Sequence, residues 1–256
     1  AADAATAIYF ALSVTYPAAA GLGGGGICLV HDGSGKTVET VSFLASSPRG
    51  GGAVAVPGNV RGFAYIHSRY GKAAWTSVVA PAERLAATGS SVSRASAAQL
   101  AIASKIIDGS PSLSGVFAPQ GRIANERDLL TQLQLASTLG QIRARGAAGF
   151  YSGPVARRFA DAVRDAGGAV TENDLLDYRP TAGTAQSDRW AVFVHGIGGR
   201  RENGYRFLPV LHAAGLPVLL LSYRNDEGAP RSSEGIYAFG LTEWRDVESA
   251  VEHALD

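Results

Sequence analysis

Two glycine-rich stretches are the places where this sequence could do chemistry. The first is Gly21-Leu22-Gly23-Gly24-Gly25-Gly26, which opens into the apolar run Ile27-Cys28-Leu29-Val30. Bare backbone of this kind can cradle phosphate, and Gly21, Gly23 and Gly26 satisfy the G-x-G-x-x-G spacing. That chemistry needs a strand before the loop and a helix after it, so that phosphate meets a helix N-terminus. Here the order is reversed. An alanine-rich helix pattern over residues 2–14, closed by Tyr16-Pro17, comes first and the strand follows. Gly35-Lys36-Thr37 ends like a phosphate loop, but Val30 stands where that motif needs its first glycine. Residues 38–43 then alternate like a strand, and Asp32-Gly33-Ser34-Gly35 reads as a hairpin turn. Residues 21–26 are therefore expected to lie against other backbone, with no phosphate.

The second stretch is His195-Gly196-Ile197-Gly198-Gly199, placed after the apolar pattern of residues 190–194. Amides in such a loop can form an oxyanion hole, so all five residues are oxyanion-loop candidates. In this reading His195 orients the loop and does not act as a base. Asn225-Asp226-Glu227 reads as a solvated loop after the next strand. His31, His67, His212 and His253 lack metal-ligand spacing, so neither a metal nor a cofactor is expected. Cys28 has no partner for an internal disulfide and is expected to be a buried structural thiol.

The elements that must position these loops follow from periodicity. Helix patterns cover residues 59–70, 76–88, 93–108, 129–145 and 154–165, with Asn59 as an N-cap candidate. In residues 2–14, Ile8, Leu12 and neighbouring alanines form a face that can pack closely. Leu135, Leu139 and Ile142 make a core-facing stripe, as do Val155, Phe159 and Val163. Thr171-Glu172-Asn173-Asp174 is a capping box opening a short helix. Strands are expected over 27–31, 37–44 and 53–56. Residues 180–187 read as a polar, turn-rich linker. Beyond it, the patterns run strand (190–194), glycine loop, helix (203–214), strand (216–223) and helix (241–255). That last helix would carry Trp244, Val247, Val251 and Leu255 on one face. Such alternation is the unit of a doubly wound parallel sheet.

The order of motifs carries a resemblance. The helix pattern and Gly21–Gly26 loop lead to Val56-Pro57-Gly58, Tyr70-Gly71-Lys72 and Val79-Ala80-Pro81-Ala82-Glu83. Leu135-Ala136-Ser137-Thr138-Leu139, Phe150-Tyr151-Ser152-Gly153 and residues 175–180 follow. Over about residues 1–183 this resembles the large-subunit side of the γ-glutamyltranspeptidases, which are N-terminal-nucleophile hydrolases. The resemblance implies a partial αββα fold and amide hydrolysis or acyl transfer on a small γ-glutamyl amide or ester. The implied nucleophile is a threonine whose own α-amino group is the base. Its region would lie beyond residue 183, where this sequence has other residues; Thr181 and Thr184 lack the flanking residues of the cleavage site. The chain alone is thus expected to be inactive, with a complementary small-subunit chain as its missing partner. Where the family places a carboxylate-binding arginine, this sequence has Leu44, and Arg49 nearby is the substrate-binding candidate.

Residues 188–256 resemble the opening of an α/β-hydrolase, a strand ending in His-Gly-x-Gly-Gly, without the later G-x-S-x-G elbow. The fold class expected for the whole is therefore α/β: a truncated N-terminal-nucleophile-type domain over 1–183 and a truncated hydrolase-type segment over 184–256. A serine esterase or peptidase lacking its nucleophile is the alternative activity, and a non-catalytic scaffold or accidental fusion is the third. Composition excludes other classes. The net charge of +1 gives no reason for a nucleic-acid partner, and no apolar run reaches the ~18 residues of a membrane span. Hydrophobic content of 46% against 18% charge is that of a globular chain. No basic n-region marks a signal peptide. Relatives of the first part are often periplasmic or secreted, and the sequence itself assigns no compartment. Methionine is absent even at position 1, which reads as a segment of a longer chain.

Overall fold

A computed structural model describes residues 1–31, 38–52, 54–184, 191–196, 199–213, 216, 218–226, 228–231 and 244–255. The elements are, in order, α1 (Ala2–Thr15), α2 (Pro17–Ala20), β1 (Ile27–His31), β2 (Val38–Ser42), α3 (Asn59–Tyr70) and α4 (Trp75–Thr88). There follow β3 (Ser90–Ser91), α5 (Arg94–Ile102), α6 (Ser104–Asp108), α7 (Pro111–Phe117), β4 (Leu129–Leu130) and α8 (Leu133–Arg145). Next come α9 (Ala148–Tyr151), α10 (Gly153–Asp165), α11 (Glu172–Asp177), β5 (Thr181–Thr184) and β6 (Ala191–Phe193). A 3₁₀ helix (Arg201–Phe207), α12 (Leu208–Ala213), β7 (Val218–Leu220) and α13 (Trp244–Leu255) complete the order. Sheets form in the orders β1-β2-β5, β3-β4 and β6-β7. Packing groups Ala1–Cys28 with Val41–Ala182 in one compact unit, and Leu29–Thr40 with Gly183–Asp256 in another.

In the first unit α4 packs on both α1 and α8. The core is apolar side chains that these helices bring together: Phe10, Val60, Val79, Leu139, Ile142 and Tyr151 are fully buried. Buried polar backbone is satisfied at the seams. The Trp75 indole N–H donates to the Ile142 carbonyl (2.8 Å) and the Gln132 amide to the Val14 carbonyl (2.8 Å). The two expected stripes hold, with Leu139, Ile142, Val155 and Val163 buried and Leu135 and Phe159 partly so. The packing face of α1 differs from expectation. Tyr9, Phe10, Ser13 and Val14 turn inward, whereas Ile8 and Leu12 are exposed. Aromatic side chains fill the gap beside α3 and α4 better than the branched aliphatics: Tyr9 stacks on Phe63 and Phe10 meets Trp75 edge-on.

Other boundaries shift for local reasons. Asn59 is the first residue of α3, not its cap, because its amide is used elsewhere. Ser93 does cap α5, accepting from the Ser96 amide at 3.1 Å, but that helix breaks at Ala103, before α6. Among the described residues of the expected strand 53–56, Val56 alone pairs, in a bridge to Ser46. Thr181–Thr184, expected within the linker, pair as a strand. The hairpin turn at residues 32–35 lies outside the described residues. Ile27 is exposed and Cys28 half-buried, not a fully buried strand.

In the second unit β6 and β7 pair in parallel, Ala191 with Val218 and Phe193 with Leu220. Both strands are half-buried and shorter than their patterns. The helix expected from residue 203 begins as the 3₁₀ helix, pressed so closely on the strands that a Cβ at Gly204 would lie 2.7 Å from Phe193 and from Leu220. On α13, Trp244 is exposed, while Val247 and Val251 are half-buried.

Gly62 gives a sharp test of this packing. Alanine in mid-helix is normally favoured over glycine by about 1 kcal/mol. At Gly62, however, a Cβ would come within 2.6 Å of Cδ1 of the buried Phe43 ring. Gly62→Ala is expected to destabilise the chain by roughly 1–3 kcal/mol and lower its urea midpoint. Gly115→Ala in α7, where a Cβ meets nothing within 4 Å, is expected to leave stability equal or slightly higher. Equal midpoints for the two variants would refute the close approach.

Candidate functional site

The Gly21–Gly26 loop is held by backbone, by the Asn59 side-chain amide and by the Tyr9 hydroxyl, which donates to the Gly21 carbonyl at 3.4 Å. The first amides of α3 point at it: Gly58 N and Asn59 N both donate to the Gly24 carbonyl, at 2.9 and 3.0 Å. Asn59 Nδ2 donates to the Gly21 carbonyl at 2.9 Å. Gly26 and Phe43 exchange a pair of backbone bonds of 3.2 and 2.8 Å. A Cβ at Gly25 would lie 2.7 Å from the Phe43 carbonyl oxygen, so the glycine there answers to close approach. The helix-terminal donors that a phosphate would need are committed to the loop's own carbonyl.

Leu44, at the next position, is exposed, and its carbonyl accepts from the Tyr178 hydroxyl at 2.9 Å. Arg49 is carried past it on the loop to the start of α11. There its backbone amide donates to Asp174 Oδ1 (3.1 Å) and its guanidinium to Asp177 Oδ2 (2.6 Å). The guanidinium is largely exposed. Asp174 also closes the capping box, accepting from Thr171 N at 2.9 Å through Oδ2, while Thr171 Oγ1 accepts from Asp174 N. The Thr171 hydroxyl and the Arg49 amide, both donating to it, hold the Asp174 carboxyl below its ordinary value. The motifs around this strip converge: Tyr151 donates to the Pro57 carbonyl (2.7 Å), and Arg61 lies 4.1 Å over the Tyr151 ring. Arg61 also donates to the carbonyls of Leu176 and Tyr178 at the end of α11.

In the second unit His195 follows β6 and is buried. His195 Nε2 lies 2.7 Å from Asp226 Oδ2, and Nδ1 lies 3.0 Å from the Gly196 carbonyl. The ring stacks on Tyr223 at 4.5 Å, and the Tyr223 hydroxyl donates to the His195 carbonyl at 2.6 Å. Gly199 N donates to the same Gly196 carbonyl, at 2.8 Å. Asp226 is shared with a cavity of about 350 Å³ lined by Arg200, Arg201, Glu202, Ser222 and Gly228. Ile197 and Gly198 lie outside the described residues. Sequence reasoning missed Asp226 as a partner and placed it in a solvated loop. Its signal was its position, since loops at the carboxyl ends of adjacent parallel strands meet. Both imidazole nitrogens have polar partners among the described residues.

Comparison with known proteins decides the family of the chain. A sequence model described as Gamma-glutamyltranspeptidase matches residues 1–50 and 43–197. The chain belongs to the γ-glutamyltranspeptidase family. Scoloptoxin SSD14 of Scolopendra dehaani is 34% identical, over 70% of this chain and 34% of that protein. The glutathione hydrolase proenzyme of Bacillus subtilis is 33% identical, over 69% of this chain and 34% of that protein. The solved γ-glutamyltranspeptidase of Helicobacter pylori superposes with a TM-score of 0.68 at 31% identity, covering 71% of this chain and 58% of that one. The chain spans about a third of the length of the curated relatives it matches. The mixed helix-and-sheet fold of the transpeptidases is thus shared.

Within this family frame, Gly21–Gly26 and Val56-Pro57-Gly58 are structural: their glycines let α3 reach the Phe43–Leu44 strip. Thr181 is exposed in β5, and the Thr184 side chain lies outside the described residues. Among the described residues no cluster of three or more His, Cys, Asp or Glu is arranged to hold a metal. No helix there is long and apolar enough to cross a membrane.

Asp174 gives a pH signature. Its folded carboxyl titrates below the ordinary 3.8, so its contribution to stability is present above that pH and lost as pH falls through the lower folded value. Thermal melts between pH 6 and pH 2.5 are expected to show a steeper acid loss for the native chain than for Asp174→Asn. Parallel curves would show that the carboxylate's bonds contribute nothing.

Proposed function

We propose that residues 1–183 are the large-subunit side of an amide hydrolase or acyltransferase acting on γ-glutamyl compounds. Its nucleophile is an N-terminal threonine supplied by a complementary small-subunit segment and absent from these residues. The family match through residue 197 carries this reading, and the B. subtilis relative, named a glutathione hydrolase proenzyme, supports it. Acyl transfer needs nucleophile, base and oxyanion site together. The large-subunit side would supply the wall on which the γ-glutamyl group lies. With leucine at position 44, the expected carboxylate anchor is missing, and Arg49 is the nearest cation in sequence to replace it. Its bond to Asp177 ties it to α11, which favours a substrate other than a plain γ-glutamyl amide.

A second reading rests on the parallel β6–β7 pair and on the His195 loop. In it, residues 184–256 are the opening of an α/β-hydrolase, with His195, Gly196, Ile197, Gly198 and Gly199 forming the oxyanion loop of a serine esterase or peptidase. Its G-x-S-x-G nucleophile would lie outside these residues.

Two measurements separate these readings. Leu44→Arg is expected to restore a charge-assisted contact of about 1.5–3 kcal/mol. That would tighten binding of a non-hydrolysable γ-glutamyl analogue by about ten-fold or more in calorimetry, while Arg49→Ala weakens it. An unchanged affinity in both variants removes γ-glutamyl specificity from the first reading. The purified chain alone is expected to turn over neither a γ-glutamyl anilide nor a short-chain aryl ester. Steady turnover abolished by Thr181→Ala, Thr184→Ala or His195→Ala would place a nucleophile or base within these residues after all.

A further inference from the structure

We propose that the crevice between α8 and α10 is a binding site for a phosphoryl group, read by Arg158, Ser137 and Gln134. Neither functional reading above uses this place, and the site depends on neither. Helix periodicity creates it. On α8 the core takes Ala136, Leu139 and Ile142. That leaves Gln134, Ser137 and Thr138, spaced i, i+3 and i+4, as neighbours on a flank of the helix. On α10 the core takes Val155, Ala156, Ala160 and Val163, and Arg158 stays outside. α9 packs against both helices. Gln134, Ser137, Thr138 and Arg158 then line a cavity of about 310 Å³, at the small end of the range of about 300–1,000 Å³ for ligand sites.

The lining is a set of donors with no acceptor. Among the described residues the Arg158 guanidinium makes no ion pair or hydrogen bond. Asp161, the next acidic residue on α10, is taken by Arg164 at 2.7 Å. Other arginines of this unit are held by carboxylates, Arg122 by Asp128 and Arg49 by Asp177, both at 2.6 Å. The Ser137 hydroxyl and the Gln134 side-chain amide are likewise without a partner among the described residues. Thr138 differs, because its hydroxyl donates to the Gln134 carbonyl at 3.0 Å and its hydrogen is spent inside the helix. Among the described residues, no Asp or Glu lines the cavity.

A fixed cation, a hydroxyl and an amide around one cavity call for an anion rich in acceptors. Guanidinium stays charged at every relevant pH, and its planar fork matches phosphate through two parallel bonds. A phosphoryl group carries a charge of about −1.5 to −2 at neutral pH and three strong acceptor oxygens. It can therefore take the fork, the hydroxyl and the amide together. A carboxylate offers two oxygens in one plane and a single charge, and would leave part of the set unused. The recognised chemistry is the phosphoryl group itself, whether free phosphate or the end of a phosphomonoester carries it.

The test is calorimetric titration of the full chain at neutral pH and constant ionic strength, with inorganic phosphate, O-phosphoserine and acetate. Phosphate is expected to bind and acetate to bind at least ten-fold more weakly. Arg158→Ala is expected to weaken phosphate about ten-fold or more, since it removes a charge-assisted contact. Ser137→Ala is expected to weaken it about two- to ten-fold, whereas Thr138→Val and the remote Arg94→Ala leave it unchanged. None of these side chains is in the core, so circular dichroism is expected to match the native chain, and Ser137→Ala supplies a second reading. O-Phosphoserine binding as well as phosphate supports a site open to phosphomonoesters; phosphate binding alone supports a site for the free ion. The proposal is overturned by no phosphate binding at about 10 mM, where a site with a dissociation constant of about 1 mM would be nearly filled. Acetate binding as tightly as phosphate overturns it too, as does an affinity that Arg158→Ala does not change.

Discussion

The first unit depends on the bare backbone of Phe43 and Leu44. Gly25 reaches this strip from the glycine loop, Gly58 from the start of α3, and Gly62 presses on the Phe43 ring from the next turn. The Tyr178 hydroxyl closes it from the far end of the unit. A Cβ at any of the three glycines would collide with backbone or ring, so the approach is possible only with glycine. Once α3 is seated, its first amides bind the Gly24 carbonyl and Asn59 binds that of Gly21. The loop is thereby shaped by the helix that follows the strands.

From that contact a chain of polar ties reaches across the sequence. Tyr151 on α9 holds the Pro57 carbonyl, Arg61 on α3 holds the carbonyls that end α11, and Asp174 on α11 holds the backbone of Arg49. Each tie satisfies a backbone group at a turn or a helix end that secondary structure leaves unpaired. Motifs that look unrelated along the chain, Val56-Pro57-Gly58, Phe150-Tyr151 and the segment around Tyr178, prove to be parts of one joint.

The second unit is organised differently, around a buried hydrogen-bonded pair. His195 and Asp226 come from loops at the same end of two parallel strands and meet under the Tyr223 ring. A buried pair of this kind is weak evidence for stability but strong evidence for a fixed geometry when all its partners are satisfied. Each ring nitrogen of His195 has a polar partner within 3.0 Å, and Asp226 Oδ2 also accepts from the Tyr223 amide.

Sequence alone determined what depends on local order. Thr171–Asp174 announced its capping box, and periodicity marked the buried stripes of α8 and α10. These signals are legible because their cause lies within a few residues. Only the tertiary structure decided which face of α1 is buried, since alanine permits any face and the aromatics of α3 and α4 select Tyr9 and Phe10 over Ile8 and Leu12. It also decided that Asn59 serves the glycine loop and not its own helix, that Thr181–Thr184 pair as a strand, that Arg49 pairs with Asp177, and that Asp226 belongs to His195. Each of these turns on a partner many residues away, and a single side chain carries no record of the distant group that will satisfy it.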